Sequence, residues 1–374
     1  MGRGAIATIA IDGSQAAATV DRFFRSATGK KVELASQGPI LFGRWQGDRN
    51  GSADDDHGEE LVVCRTGDQR VEIHCHGGAA AARRILACLE QAGCTVIDWP
   101  AWVSQDADPV TADAIVALSR VVTERCAAIL LDQLRGALTA EIKTTIVRLM
   151  GDPVDALSRL RDLLKFADVG MHLCDPWRVV FAGPPNVGKS SLINAIVGYQ
   201  RSIVFDQPGT TRDVVTVRTV WDGWPLELAD TAGLRDVDDR LEAAGVDRAR
   251  QRIWEADLVV VVRDAQNPVS TPVPPNLANR WLHVANKSDL AVDRRANGPS
   301  ALPTSAVTGE GIDRLLVAIT KSLVPDPPPE NAPVPFMPKH RTIISQAMEF
   351  ARAGDTLRAQ QVLWEMVRST TCDR

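Results

Sequence analysis

Apolar residues fall into three regimes along the chain. In the first hundred residues they come as short runs separated by turn signals: 5–11 up to Asp12-Gly13, 38–45, 60–64, and 71–75 running into Gly77-Gly78. Runs of that length bounded by Gly and Asp predict strands. The Ala- and Leu-rich stretch 79–91, stopped by Gly93, predicts a helix, and the Gly- and Asp-rich stretch 47–59 predicts a solvated loop. Between 110 and 168 the pattern changes to three- and four-residue steps. Ile115, Leu118, Val122, Ile129, Leu130, Leu134, Leu138, Ile142, Ile146 and Leu149 form one helical stripe as far as Gly151-Asp152-Pro153, and a second helix spans 154–166. From 177 to 323 buried-strand runs (178–182, 214–221, 226–229, 257–262, 280–285) alternate with helical segments and end on a helix at 311–323. That alternation predicts a doubly wound, mostly parallel sheet. The proline-rich stretch 325–335 reads as a stiff, extended linker and 341–366 as a short helical tail.

The fold class expected is therefore an α/β P-loop domain inserted in an all-α domain, behind a small N-terminal α/β domain. Its boundaries are 1–105, 106–175 for the first helical part, 176–324 for the inserted domain, 325–335 for the linker and 336–374 for the second helical part. Composition adds limits. The 374 residues are 45% hydrophobic and 24% charged, with a net charge of −5, which disfavours an electrostatically driven nucleic-acid binder. The seven cysteines contain no C-x-x-C pair, so reduced thiols and a cytoplasmic location are expected. No apolar stretch reaches the ~18 residues of a membrane span.

Candidate chemistry begins at Gly183-Pro184-Pro185-Asn186-Val187-Gly188-Lys189-Ser190, a G-x-x-x-x-G-K-S loop between a buried strand and the helix that starts at Ser191. Such a loop turns backbone N–H groups toward phosphates, and the helix N-terminus adds partial positive charge. Lys189 is placed to bridge the β- and γ-phosphates and Ser190 to ligate Mg²⁺. Asn286-Lys287-Ser288-Asp289 follows about a hundred residues later, the spacing of a base-reading loop. Guanine presents N1–H and N2–H₂ side by side, and one carboxylate, Asp289, can accept both; adenine offers neither. Asn286 braces the loop, Lys287 covers the base, and Ser305-Ala306-Val307 can give a backbone N–H to O6. GTP rather than ATP is the expected ligand.

Asp230-Thr231-Ala232-Gly233 supplies a carboxylate that reaches Mg²⁺ through water and a Gly233 N–H that senses the γ-phosphate. Pro208-Gly209-Thr210-Thr211-Arg212-Asp213 supplies a second Mg²⁺ hydroxyl, assigned to Thr211. Leu234 stands where many GTPases carry a water-orienting glutamine, so another acceptor must serve, and 235–242 is rich in carboxylates. Asn186 carries a carbonyl-type oxygen suited to K⁺, a cation that can neutralise charge at the β–γ bridge. His74-Cys75-His76 is not a predicted metal site, because neighbouring strand residues point to opposite faces.

GPPNVGKSSLINAI, DQPGTTRD, DTAGLRD and NKSD resemble the TrmE–Era–EngA group of GTPases. RVEIHCHGG at 70–78, GRGAIATIAIDG at 2–13 and DQLRGALTAEI at 132–142 resemble its MnmE/TrmE family of tRNA-modification GTPases. The resemblance covers nearly the whole chain. It implies K⁺ held by Asn186, Phe205, Gln207 and Thr210, with Asp206 in the same loop, hydrolysis triggered by pairing of GTPase domains, and a water-orienting Glu242. It implies a homodimer through the N-terminal domain, an MnmG (GidA)-like flavoprotein partner, tRNA, and a tetrahydrofolate one-carbon donor touched by Glu72. There are departures. The family's Arg on the first strand falls on Ala10, and the family's terminal Cys-x-Gly-Lys is replaced by Cys372-Asp373-Arg374. Two expectations follow: a GTP hydrolase of tRNA wobble-uridine modification, or a GTP-gated switch or scaffold that has lost the folate chemistry.

Overall fold

The computed structural model describes residues 4–46, 58–105, 107–199, 203–204, 216–230, 253–266, 280–291 and 301–368. They divide into two compact units, Met1–Trp99 and Pro100–Arg374. No helix among the described residues is long and apolar enough to cross a membrane.

The first unit is an antiparallel sheet of β1 (Ile6–Asp12), β2 (Phe24–Ser26), β3 (Ile40–Trp45), β4 (Glu59–Arg65) and β5 (Arg70–His76), in the order β1-β5-β4-β3-β2. Helices α1 (Ala16–Phe23) and α2 (Ala79–Gln91) contribute Val20, Phe23, Ile85 and Leu89 to a core shared with Trp45, Val63, Val71 and Ile73. Phe23 stacks on Trp45 with ring centroids 5.4 Å apart. Strand β5 alternates strictly. Val71, Ile73 and Cys75 face the core, while Glu72 and His74 lie on the other face. His74 contacts Glu72 at 3.4 Å and Thr8 at 3.0 Å, and His76 contacts Glu59 at 2.5 Å. Among the described residues no group of three or more His, Cys, Asp or Glu side chains is placed to hold a metal ion. Helix α1 and strand β2 went unread in the sequence, both being too short to show a period.

The second unit begins, after the short helix α3 (Trp99–Val103), with helices α4 (Pro109–Leu118), α5 (Glu124–Leu134), α6 (Ala137–Gly151), α7 (Pro153–Lys165) and α8 (Ala167–Met171). The single stripe expected over 115–149 is thus three helices. Thr123 stops the run by accepting from Cys126 N at 3.2 Å as an N-cap, and Arg135-Gly136 breaks it again. Chain reversals between helices leave the spacing of apolar residues almost unchanged, so periodicity alone did not reveal them.

A seven-stranded sheet follows: β6 (Trp177–Ala182), β7 (Ile203–Val204), β8 (Thr216–Trp221), β9 (Trp224–Asp230), β10 (Leu258–Asp264), β11 (Trp281–Asn286) and β12 (Leu302–Pro303). Its order is β12-β11-β10-β6-β9-β8-β7, parallel from β12 to β9 and antiparallel beyond. The first five residues of β10 are all buried, as a parallel strand covered on both faces requires. Helices α9 (Lys189–Val197) and α10 (Ile312–Leu323) belong to this part. The chain closes with α11 (Pro338–Arg352) and α12 (Thr356–Val367), where one helical tail was expected; Asp355 caps the second by accepting from Arg358 N at 3.1 Å.

The stretch 325–335 is not a free spacer. Ala332, Val334 and Phe336 are buried, and the wholly buried Gln133 side chain donates to Ala332 O at 3.0 Å and accepts from Val334 N at 3.1 Å. Pro335 O approaches Gly170 so closely that a Cβ there would lie 1.9 Å from it. Proline content predicted the extended backbone; the glutamine that straps it down lies two hundred residues upstream.

Candidate functional site

The strand order changes direction around β6, with β9 on one side and β10 on the other. In open α/β sheets, ligands bind outside the carboxyl ends of the strands at such a point. The loop 183–188 leaves β6 there and opens α9. Asn186 and Gly188 hold left-handed backbones, with φ of 63° and 88°. A Cβ on Gly188 would lie 2.4 Å from Asn286 Nδ2, so only glycine fits between the two loops. The Asn286 amide occupies that space because it donates to Val187 O at 2.9 Å. Val187 is itself buried, and Ser191 lies on the exposed side of α9.

Lys189 is 5% exposed, and its ammonium donates to Gly183 O at 3.1 Å and Pro184 O at 2.9 Å. Ser190 Oγ donates to Asp230 Oδ2. A hydroxyl and a carboxylate are thus side by side at the end of β9 and the start of α9, a donor set of hard oxygens that fits Mg²⁺. Asn186, the residue expected to meet K⁺, is exposed in this loop. Phe205, Asp206, Gln207, Pro208, Gly209, Thr210, Thr211, Thr231, Ala232, Gly233, Leu234, Glu242 and Cys372 lie outside the described residues.

The base-reading loop follows β11. Asn286 is 1% exposed, and besides bonding Val187 it accepts from Ala306 N at 3.2 Å through Oδ1. Ser288 is buried and donates its N–H to Thr304 O at 3.0 Å, while Asp289 is exposed. Of the Ser305-Ala306-Val307 amides, one of which is expected to reach guanine O6, Ser305 N–H goes to Glu310 O at 2.9 Å and Ala306 N–H to Asn286. Among the described residues only Val307 N–H of that trio is uncommitted, on a residue 88% exposed. The Lys287 ammonium reaches Asp264 Oδ2 at 2.7 Å. Burial raises the Asp264 carboxyl, but the bond from Lys287, helped by one from Gln266 N–H, outweighs it and holds the group below the usual carboxylate range. Local pattern does not single out Asp264; its signal is a carboxylate closing a strand run, L-V-V-V-V-R-D, that is apolar over its first five residues.

A phosphate loop at the end of β6, an N-K-S-D loop at the end of β11 and the aspartate that ends β9 define a P-loop GTPase. The sequence profile of a family described as "50S ribosome-binding GTPase" matches residues 178–289. Over a much longer span the chain is similar to proteins named tRNA modification GTPase MnmE. It is 33% identical over 358 residues to that of Thermus thermophilus, covering 86% of this chain and 81% of the relative. To that of Geobacillus thermodenitrificans it is 31% identical over 369 residues, covering 85% and 79%. To that of Symbiobacterium thermophilum it is 33% identical over 370 residues, covering 86% and 80%. The chain belongs to the MnmE family of GTPases, and its reaction is the hydrolysis of GTP.

Proposed function

We propose that this chain hydrolyses GTP with Mg²⁺ and K⁺ as helpers and that Asp289 selects guanine. Ser190, with Asp230 behind a water and Thr211 beside them, would hold Mg²⁺; Asn186, Phe205, Gln207 and Thr210 would hold K⁺. Bound there, the two cations would supply positive charge beside the β–γ bridge. The chain's own groups do the rest. Lys189 leaves the carbonyls of Gly183 and Pro184 and donates to the β- and γ-phosphate oxygens. The loop amides of 186–191 orient the triphosphate, and Gly233 N–H and Thr211 sense its terminal group. Glu242 orients the attacking water, since Leu234 cannot. The observation that carries this reading is the Ser190–Asp230 contact beside the buried Lys189.

The test is phosphate release from GTP at fixed ionic strength. With Mg²⁺ present, K⁺ should accelerate turnover several-fold over Na⁺, and a chelator should abolish it. Equal rates in the two salts remove the potassium assignment. Glu242→Ala should lower kcat and leave GTP affinity alone; an unchanged kcat returns the role to another carboxylate.

For the output of the switch we infer a part in tRNA modification, as the names of the relatives state for them, with a homodimer through the N-terminal unit and an MnmG-like flavoprotein as partner. A second reading, a GTP-gated switch or scaffold without folate chemistry, is favoured by one observation. Ala10 lies directly opposite Glu72 in the β1–β5 register, so the family's arginine is absent beside that carboxylate, and Glu72 contacts His74 instead. The residues present do not fit a tetrahydrofolate site. Calorimetry with formyl-tetrahydrofolate separates the two: micromolar binding favours the modification enzyme, and no heat favours the switch.

A further inference from the structure

The carboxyl end of β10 turns its polar groups onto the loop that follows β11. Ala265 N–H donates to Asn286 O at 2.8 Å. Asp264 Oδ2 accepts from Lys287 Nζ at 2.7 Å, and its Oδ1 accepts from Gln266 N at 2.9 Å. Gln266 Nε2 donates to Leu290 O at 3.1 Å. The three residues 264–266, at the carboxyl end of β10 and just beyond it, therefore grip the loop at 286, 287 and 290, on both sides of Asp289. Lys287 has a left-handed backbone, φ 63° and ψ 35°. A residue with a Cβ keeps that conformation only where its surroundings impose it. The Asp264 carboxylate, one-fifth exposed, is the charged part of those surroundings.

We propose that Asp264 and Gln266 are positioning residues for purine specificity: one anchors the Lys287 ammonium, the other pins the Leu290 carbonyl, and together they fix the direction of the Asp289 carboxylate. The proposal rests on the reading of Asp289 as the acceptor for the guanine edge. Two parallel hydrogen bonds to N1–H and N2–H₂ demand a fixed carboxylate plane; a loop free to rock satisfies one at a time. With its ammonium held by Asp264, Lys287 offers its methylene stem, not its charge, as cover for the ring.

The experiment uses the full chain with Mg²⁺ and displacement of a fluorescent guanosine diphosphate by GTP, inosine triphosphate (ITP) or ATP. ITP lacks the 2-amino group, so the GTP-to-ITP ratio reports the two-bond grip. Asp264→Asn and Gln266→Ala should each weaken GTP by about five- to tenfold, the loss of one hydrogen bond of this kind. ITP should weaken less, so the ratio narrows. Combining Asp264→Asn with Lys287→Met should cost no more than Lys287→Met alone, because the two act through one contact. Wild-type affinity and ratio in both single variants overturn the proposal, as does an equal loss for GTP and ITP, which a merely structural role would give. Should Asp264→Asn unfold, Gln266→Ala, on an exposed side chain, decides by the same two readings. A wild-type chain that does not prefer GTP to ITP and ATP sinks the Asp289 reading and the proposal with it, a failure visible before any variant is made.

Discussion

The two ends of the nucleotide site are built on different terms. At the base end, Asn286, Lys287 and Ser288 are tied to Val187, Asp264 and Thr304 by contacts that the proposed mechanism leaves in place. At the phosphate end, Lys189 rests on two carbonyls of its own loop and Ser190 on Asp230. In the proposed mechanism those groups turn to phosphate and Mg²⁺. The base end is preorganised, so it contributes affinity and selectivity without rearrangement. On the proposed mechanism the phosphate end exchanges partners, so its groups act on the chemical step. Gly188 joins the two, since the Asn286 amide fills the space a side chain there would need.

This difference predicts how variants divide between binding and turnover. The largest effect falls at the phosphate end. Lys189→Ala should lower kcat/KM for GTP by at least ~10³, with most of the loss in kcat, because an ammonium aimed at developing charge is removed. Steady-state phosphate release measures it, and a loss confined to KM breaks the comparison. Asp289→Asn should weaken GTP and GDP alike by roughly 10² and admit xanthosine triphosphate, while kcat at saturation stays close to wild type. Unaltered GTP affinity would remove Asp289 from base recognition.

Away from the site, Gly170→Ala places a methyl against Pro335 O and should destabilise the chain by about 2–3 kcal/mol in urea unfolding, without changing the GTP-to-ATP preference. A smaller and pH-dependent effect comes from Cys126, which lies beside the β8–β9 turn and contacts Gly223 O at 3.8 Å. Burial pushes its thiol up to about 11, the Cys174 charge adding and the Thr123 and Arg125 contacts opposing. A thiol raised in the fold contributes stability that is complete below pH 9.0 and is lost as pH rises through about 11. The loss stays below about 3 kcal/mol. Cys126→Ala should flatten the unfolding free energy over that window; an unchanged slope assigns the alkaline loss elsewhere.

Which features the sequence disclosed follows from what each depends on. Strands β6, β10 and β11 announce themselves because a parallel strand covered on both faces is apolar over most of its length. The phosphate and N-K-S-D loops were readable because phosphate and purine edges demand fixed residue types at fixed spacing. The breaks at Thr123 and Arg135 were hidden because helix reversal preserves apolar spacing. The strap at 325–335 reads as a linker from local sequence because its anchor, Gln133, is remote in the chain. Asp264 and Gln266 are hidden in the sequence for the same reason: their partners, Lys287 and Leu290, lie in the loop after β11. Local pattern reports burial and local chemistry; contacts across the sheet appear only once the chain is folded.

The central claim is most directly tested by release of labelled phosphate from guanosine and adenosine triphosphates offered separately to the purified chain in K⁺ and Mg²⁺. The account predicts turnover of the guanine nucleotide and at least ~10³-fold less kcat/KM for the adenine one. Equal turnover of both, or none of the guanine nucleotide, would contradict it.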